Sequence, residues 1–361
     1  MEKISWWQTD IGEGEKQRLL EAFEEKRFTL GAWTEELERQ ISLTLGIPYV
    51  TVTPSGTAAL TMALMAAGIG PGDEVILPGL TWIATAQAVA LLGGKVVLAD
   101  CSERLPLIDP KEVKRKLSKR TRAIIPVHLN GRSCQLEELL QISEESGAVL
   151  IEDACKAFAS KGPGGYLGTL GAMGCFSLGM VSLISTGYGG AVVTRDGNYD
   201  RKLKLIRNHG VPRKGVEQYH TLGFNFRFSD LLAALGIGQL GRLKEKQECV
   251  RKVYRRYVEG LSGLEKVQVI GVDVEGGELP LCMEVRSPLR SKIMDYLERH
   301  GVEALPFHHP LHSAPYLGSQ DSLDHASRFA EEGLILPSGP AQPLENVDRC
   351  VELLRKGVAL L

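Results

Sequence analysis

The sequence predicts an α/β protein: a large, mostly parallel sheet domain with helices on both faces, plus a smaller C-terminal α+β domain. Three observations predict it. Short apolar β-prone runs recur at Glu74-Val-Ile-Leu77, Lys95-Val-Val-Leu98, Ala123-Ile-Ile-Pro-Val127 and Ala148-Val-Leu-Ile151. Continuous apolar strands of this kind belong to sheets buried on both faces. Helical patterns mostly alternate with them, as parallel crossovers require. Finally, 361 residues with a hydrophobic share of 43% are enough for two domains. The expected division is 1–240 for the large domain and 241–361 for the small one.

The chain opens with helical periodicity. Glu13 to Glu25 carries Leu19, Leu20 and Phe23 on one face, and Trp33 to Leu45 carries Leu37, Ile41 and Leu45. The β-prone run Tyr49 to Val52 gives way to Pro54-Ser55-Gly56-Thr57 and then the apolar run Ala58 to Ala67. A Ser/Gly/Thr turn entering a helix is a start signal, and it leaves free N–H groups at the helix N-terminus. Helices are expected at Thr81 to Leu92 and Leu136 to Ser146, and a further strand at Gly190 to Thr194. A long helix is expected from Ser229 to Leu261, then a strand at Leu279 to Glu284 and helices at Arg290 to Arg299 and Leu344 to Leu360.

Composition excludes some partners. The net charge is −2 with both signs interspersed, which argues against nucleic acid. The seven cysteines show no CxxC spacing, so buried, reduced thiols are expected rather than a disulfide framework. The N-terminus, Met-Glu-Lys-Ile-Ser-Trp-Trp, lacks a signal-peptide pattern, and no apolar run is long enough to span a bilayer. A cytoplasmic protein is the expectation.

The sharpest chemical clue is Glu152-Asp153, an acidic pair at the end of an apolar strand. Ligands of open α/β sheets sit beyond the carboxyl ends of the strands. A carboxylate there can keep a pyridine nitrogen protonated and so make the ring an electron sink; a helix cap or surface acid would look the same in sequence. Ser55-Gly56-Thr57 reads as a phosphate cradle, because small residues permit close approach to helix N–H donors. Ser177 could add a hydroxyl to the same phosphate, and Trp82 could stack on a flat ring. Gly187-Tyr188-Gly189-Gly190 reads as a flexible turn into a strand. Gly236-Ile-Gly238-Gln-Leu-Gly241 matches GxGxxG but lies inside a helical pattern, so the dinucleotide reading fails its context. His308, His309 and His312 lack the Cys or carboxylate that would complete a metal set; substrate contact or loop packing is expected instead.

Taken in order, these segments resemble the DegT/DnrJ/StrS family of sugar aminotransferases almost end to end. The resemblance rests on Lys26-Arg27-Phe28-Thr29-Leu30-Gly31, Pro54 to Leu60, Leu77 to Ala86, Pro126-Val127-His128-Leu129-Asn130-Gly131 and Ile151-Glu152-Asp153-Ala154. It continues with Arg207-Asn208-His209-Gly210, Gly223-Phe224-Asn225-Phe226-Arg227 and Pro310-Leu311-His312. It implies a fold-type I aminotransferase that uses pyridoxal 5'-phosphate and pyridoxamine 5'-phosphate, built as a homodimer with shared active sites. It assigns Asp153 to the pyridine nitrogen, Trp82 to ring stacking, and Gly56, Thr57 and Ser177 to the phosphate. Asn225 would reach the partner subunit's phosphate, while His312, Arg227 and Tyr188 become candidates for substrate or interface contacts. The implied reaction moves an amino group from glutamate or glutamine to a keto-sugar nucleotide or a cyclitol.

Three departures stand out. Ser182 occupies the place of the family's Schiff-base lysine, Tyr188 stands where Glu is usual, and Lys156 stands where the family usually has Gln beside the ring hydroxyl. A serine hydroxyl cannot form an imine, and its pKa is far from that of a useful base. Binding is therefore expected to survive and turnover to be impaired. Four readings are open: an aminotransferase with one Lys-to-Ser replacement, a pyridoxamine phosphate-dependent keto-sugar dehydratase, an enzyme in which Lys156 has taken the imine role, or a non-catalytic sugar- or cofactor-binding regulator.

Overall fold

The computed structural model describes residues 3–26, 28–212, 218–318 and 322–360. Arg27, part of the Lys26–Gly31 motif, lies outside the described residues. Two helices lead, α1 (Glu13–Glu24) and α2 (Ala32–Leu45), and then β1 (Tyr49–Thr53) enters the main sheet. Alternation follows: α3 (Gly56–Ala67), β2 (Glu74–Pro78), α4 (Ala84–Leu91), β3 (Lys95–Ala99), α5 (Pro110–Lys116), β4 (Thr121–Ile124), α6 (Leu136–Ser146) and β5 (Val149–Asp153). A small hairpin, β6 (Lys161–Gly162) and β7 (Gly165–Tyr166), precedes β8 (Met173–Ser177), β9 (Gly190–Thr194) and α7 (Gly197–Arg207).

The main sheet has seven strands in the order β1-β9-β8-β5-β4-β2-β3. Pairing is parallel from β3 through β2, β4 and β5 to β8, and β9 runs antiparallel to both β8 and β1. The expected mostly parallel sheet is therefore present, with one reversed strand. Because β1 is antiparallel to β9, and β9 to β8, β1 points the same way as β8. The carboxyl ends of β1, β2, β5 and β8 consequently share one edge, where ligand sites of open α/β sheets form.

Beyond it come α8 (Asp230–Gly241), α9 (Leu243–Leu261), β10 (Gln268–Val269), β11 (Met283–Arg286), α10 (Arg290–Arg299), β12 (Leu305–Pro306), α11 (Asp324–Glu332), β13 (Gly333–Leu336) and α12 (Leu344–Leu360). Their strands form a second, antiparallel sheet in the order β10-β11-β13-β12. A separate core surrounds it, containing Tyr257, Met283, Val285, Leu297, Leu334, Leu336 and Leu354. Ile4 joins this core from the N-terminus, bridging to Val302.

Several elements differ from expectation for identifiable reasons. The helix expected from Ser229 to Leu261 is two helices, broken at Arg242 with φ −107° and ψ 14°. Gly241 weakens the helix there, and the Arg242 guanidinium is drawn to Asp10 at 2.8 Å and Glu245 at 3.0 Å. The strand expected at Leu279 starts only at Met283, because large-domain side chains take the backbone groups before it. Leu279 N–H donates to Ser160 Oγ at 3.0 Å, and Cys282 N–H donates to Asn130 Oδ1 at 2.6 Å. The helix expected from Thr81 begins at Ala84, which leaves Trp82 in the preceding turn. Helix α1 forms but turns Glu15 and Ala22 inward, leaving Leu20 and Phe23 51% and 58% exposed. It packs on α8 where Gly238 allows close approach; a Cβ there would lie 2.9 Å from Glu15 Cγ.

The two sheets are tied together by the Leu129–Gly131 turn after β4. Asn130, at φ 56°, donates through Nδ2 to Cys282 O at 2.8 Å as well as accepting from Cys282 N–H. Gly131, at φ 79°, passes so close that a Cβ would lie 2.0 Å from Leu279 O, so glycine is required there. Arg132, fully buried, donates to Glu284 Oε2 at 2.5 Å and to the carbonyls of Gly271 and Ile270 at 2.7 and 2.8 Å.

Candidate active site

Strand β5 delivers two adjacent acids, and strand alternation sends them to opposite sides. Glu152 points into the protein. It accepts N–H bonds from Gly168, Leu170 and Gly171 at 2.8, 2.7 and 2.6 Å, and it meets His128 Nε2 at 2.9 Å. Burial alone would raise its pKa, but His128 and the turn amides outweigh burial and hold it below the usual range. Cys134 N–H donates to His128 Nδ1 at 3.3 Å, so the imidazole proton sits on Nε2 and is donated to Glu152. This acid secures the fold.

Asp153 faces the shared strand edge. Thr85 Oγ1, on α4, donates to Oδ2 at 2.8 Å, and Cys155 N–H donates to Oδ1 at 3.1 Å. Each carboxylate oxygen is thus held by one donor, and the side chain is oriented before any ligand arrives. Thr85 also follows the Trp82 turn, so the β2–α4 connection positions both the acid and an indole that is 64% exposed. His308, on the segment after β12, sets its ring edge-on to Trp82, centroids 6.1 Å apart. A bridge between Leu80 and Pro310, and Leu311 N–H donating to Gly79 O at 2.7 Å, dock that segment on the Trp82 turn.

The start of α3 packs between the tips of β5 and β8. A Cβ at Gly56 would lie 2.8 Å from Cys155 Sγ and 3.1 Å from Ser177 Cβ, so only glycine fits. Ser55 Oγ caps Ala58 N–H at 3.0 Å and Ser55 O takes Ala59 N–H at 2.9 Å. The N–H groups of Gly56 and Thr57 are left as the helix's available donors, beside an exposed Thr57 and a half-buried Ser177. An amide pair at a helix N-terminus flanked by hydroxyls suits a phosphate.

Ser182 lies in the loop between β8 and β9, almost fully buried, with an Oγ that has no hydrogen-bond partner among the described residues. It lines a small cavity with Cys155, Lys156, Phe158, Leu183, Leu279 and Leu281. Lys156 reaches across this cavity and donates from Nζ to Val181 O at 2.5 Å. Burial lowers the Lys156 pKa, only partly offset by Cys282, Cys155 and Asp153. Burial, with help from Lys156 and His309, pushes His308 down to about 4.

The structure therefore gathers Asp153, Lys156, Ser177, Ser182, Gly56, Thr57 and Trp82 at one sheet edge. His312 stands close by on the turn after Pro310, half-buried, its Nδ1 without a hydrogen-bond partner among the described residues. Asn225 and Arg227 belong to a second group: Asn225 is exposed and bridges to Asn208, and Arg227 Nε donates to Asn208 Oδ1 at 2.8 Å. Tyr188 stands 78% exposed on the turn leading into β9. Sequence reasoning missed Thr85, His308 as Trp82's neighbour, and Cys282. Thr85 had a weak signal, a hydroxyl one turn after Trp82 in a mostly apolar helix. Cys282 had none, since only the fold brings it beside Asn130 and Lys156.

The DegT/DnrJ/EryC1/StrS aminotransferase family model matches residues 9–355. GDP-perosamine synthase of Caulobacter vibrioides is 32% identical over 334 residues, covering 90% of each chain. A pleiotropic regulatory protein of Geobacillus stearothermophilus is 32% identical over 342 residues, covering 92% of this chain and 91% of its own. Among solved structures, S. venezuelae DesV in complex with a ketimine intermediate superposes with a TM-score of 0.94 at 27% identity, covering 99% of each chain.

Proposed function

From the premise that this chain belongs to the DegT/DnrJ/EryC1/StrS aminotransferase family, whose enzymes use pyridoxal and pyridoxamine phosphate, we propose that its scaffold serves to aminate a keto-sugar carried on a nucleotide, or a cyclitol, with turnover impaired by Ser182 in the lysine's place. Glutamate or glutamine is the proposed amino donor, and a cytoplasmic homodimer with shared sites the working form. The observation that carries the reading is Asp153, a carboxylate at the carboxyl end of an interior strand, oriented by Thr85 and the Cys155 N–H. The names of relatives such as GDP-perosamine synthase support a nucleotide-sugar substrate.

The residues present fit the cofactor. Glycine at position 56 keeps the helix N-terminus against Ser177, and the polar atom of Ser182 is buried without a partner. Gly56, Thr57 and Ser177 would hold the phosphate, Trp82 would cover a ring face, and Asp153 would take the ring nitrogen. When bound, the cofactor supplies an electron sink for cleavage of a Cα–H bond. Asp153 keeps a proton at the ring nitrogen, and Thr85 stops the carboxylate from rotating away. His308, its pKa pushed down to about 4, is neutral at physiological pH and adds no charge beside Trp82. The exposed apolar side chains Leu20 and Phe23 of α1, with Phe28 beyond the helix set against Phe23, support burial against a second copy, and exposed Asn225 supports a role toward a partner's site.

The test is retention and half-reaction. The protein is loaded with pyridoxamine phosphate, passed through a desalting column and mixed with keto-sugar nucleotides, and amino-sugar formation is followed by mass spectrometry. Retained cofactor and a product heavier in nitrogen support the reading. Retention with loss of a sugar hydroxyl would mark a keto-sugar dehydratase, retention without chemistry a binding regulator. Failure to retain the cofactor would refute the site assignment itself.

A further inference from the structure

We propose that Lys156 Nζ, rather than any group at residue 182, is the amine through which this chain attaches the cofactor's aldehyde. The inference rests on the cofactor assignment above.

Placement carries the argument. Lys156 and Ser182 line the same small cavity, and Nζ lies on the carbonyl of Val181, the residue directly before Ser182. The amine thus occupies the neighbourhood of the unpartnered Ser182 hydroxyl, although it arrives from the opposite wall. That wall is the tight turn after β5, closed by Ala157 N–H donating to Ala154 O at 2.9 Å. The turn fixes Lys156 three residues beyond Asp153, so one short rigid segment presents both the acid and the amine to the strand edge.

The surroundings of Nζ differ from those of a structural lysine. Buried ammonium groups are normally paired with a carboxylate. Lys246, the fully buried lysine of α9, follows this rule with Asp10 Oδ2 at 2.8 Å. Lys156 has only a neutral carbonyl as hydrogen-bond partner among the described residues, with the thiols of Cys155 and Cys282 and the more remote Asp153 around it. Without a counter-ion, the charged form is disfavoured and the free amine, the nucleophilic form, gains population. The lowered pKa of Lys156 follows from this setting.

The step balances without a further reagent. The Nζ lone pair attacks the aldehyde carbon, a carbon–nitrogen double bond forms, and the aldehyde oxygen departs as water with the two amine hydrogens. Neither oxidant nor reductant is consumed. An incoming amine then exchanges with Lys156: its nitrogen bonds to the same carbon, the bond to Nζ breaks, and the two hydrogens of the incoming amine pass to Nζ, which leaves as the free amine.

The test uses the full-length protein incubated with pyridoxal phosphate, reduced with borohydride, digested and mapped by mass spectrometry, alongside unreduced protein assayed for cofactor retained through gel filtration. The expected result is a pyridoxyl mass increment on the peptide containing Lys156. K156Q is expected to lose the increment while still retaining cofactor, and K156Q/S182K to regain it at residue 182. Retained cofactor with the wild-type increment absent, or on another lysine, overturns the proposal and leaves the cofactor assignment standing. Failure of the wild type to retain cofactor overturns both.

Discussion

Arg132 makes four hydrogen bonds although fully buried, and its removal gives a quantitative test of how the site wall is held. Arg132→Met keeps the length and volume but deletes a guanidinium that binds Glu284 and the carbonyls of Gly271 and Ile270. Glu284 is itself only 3% exposed, so it would be left as an unpaired buried charge. Breaking such a pair from one side costs about 3–5 kcal/mol. The loss is read from urea unfolding of the cofactor-free protein, followed by tryptophan fluorescence and circular dichroism together. The double variant Arg132→Met, Glu284→Leu removes the stranded charge and should recover part of the loss. Because Glu284 directly continues the strand entered from Leu279 and Leu281, which line the cavity with Lys156, the single variant should also weaken cofactor retention. A loss below about 1 kcal/mol, the size of one ordinary hydrogen bond, or a double variant no better than the single one, would refute the reasoning.

Three further outcomes are expected. Asp153→Ala should lower cofactor affinity by about 2 kcal/mol or more, roughly 30-fold, in equilibrium dialysis; unchanged affinity would show that the carboxylate does not meet the ring. His308 has a folded pKa near 4 against an ordinary 6.5, so the unfolded chain binds more protons between those values and stability should fall as pH drops through that window. Its neighbours Lys156 and His309 oppose its charging, and His308→Gln should flatten that part of the stability–pH curve; an unchanged slope would disprove the assignment. Phe23→Glu should leave fold stability within about 0.5 kcal/mol, as for an exposed position, yet shift sedimentation from dimer to monomer; a dimer unaffected by the charge would place the interface elsewhere.

The local chemistry of the site was legible because it is written at the ends of strands. A carboxylate after an apolar run, a small-residue turn entering a helix, and an aromatic in the next strand–helix connection each follow from short-range pattern. The alternating strands and helices likewise determined the parallel sheet. Short-range pattern failed where a distant side chain competes for the backbone: Asn130 and Ser160 capture Cys282 and Leu279 and so delay β11, and Arg242 turns to Asp10 and breaks a continuous helical pattern.

The sequence alone determined that residue 182 carries a hydroxyl and residue 156 an amine, and that both fall inside family motifs. Only the tertiary structure decided that they meet. The loop after β8 brings Ser182 to the cavity and the turn after β5 brings Lys156, through the parallel pairing of these two strands across the intervening hairpin. The withdrawal of the Lys156 amine from solvent, with a neutral carbonyl as its hydrogen-bond partner among the described residues, is likewise a property of packing. Desolvation depends on what surrounds a group in space, and spacing along the chain does not encode it.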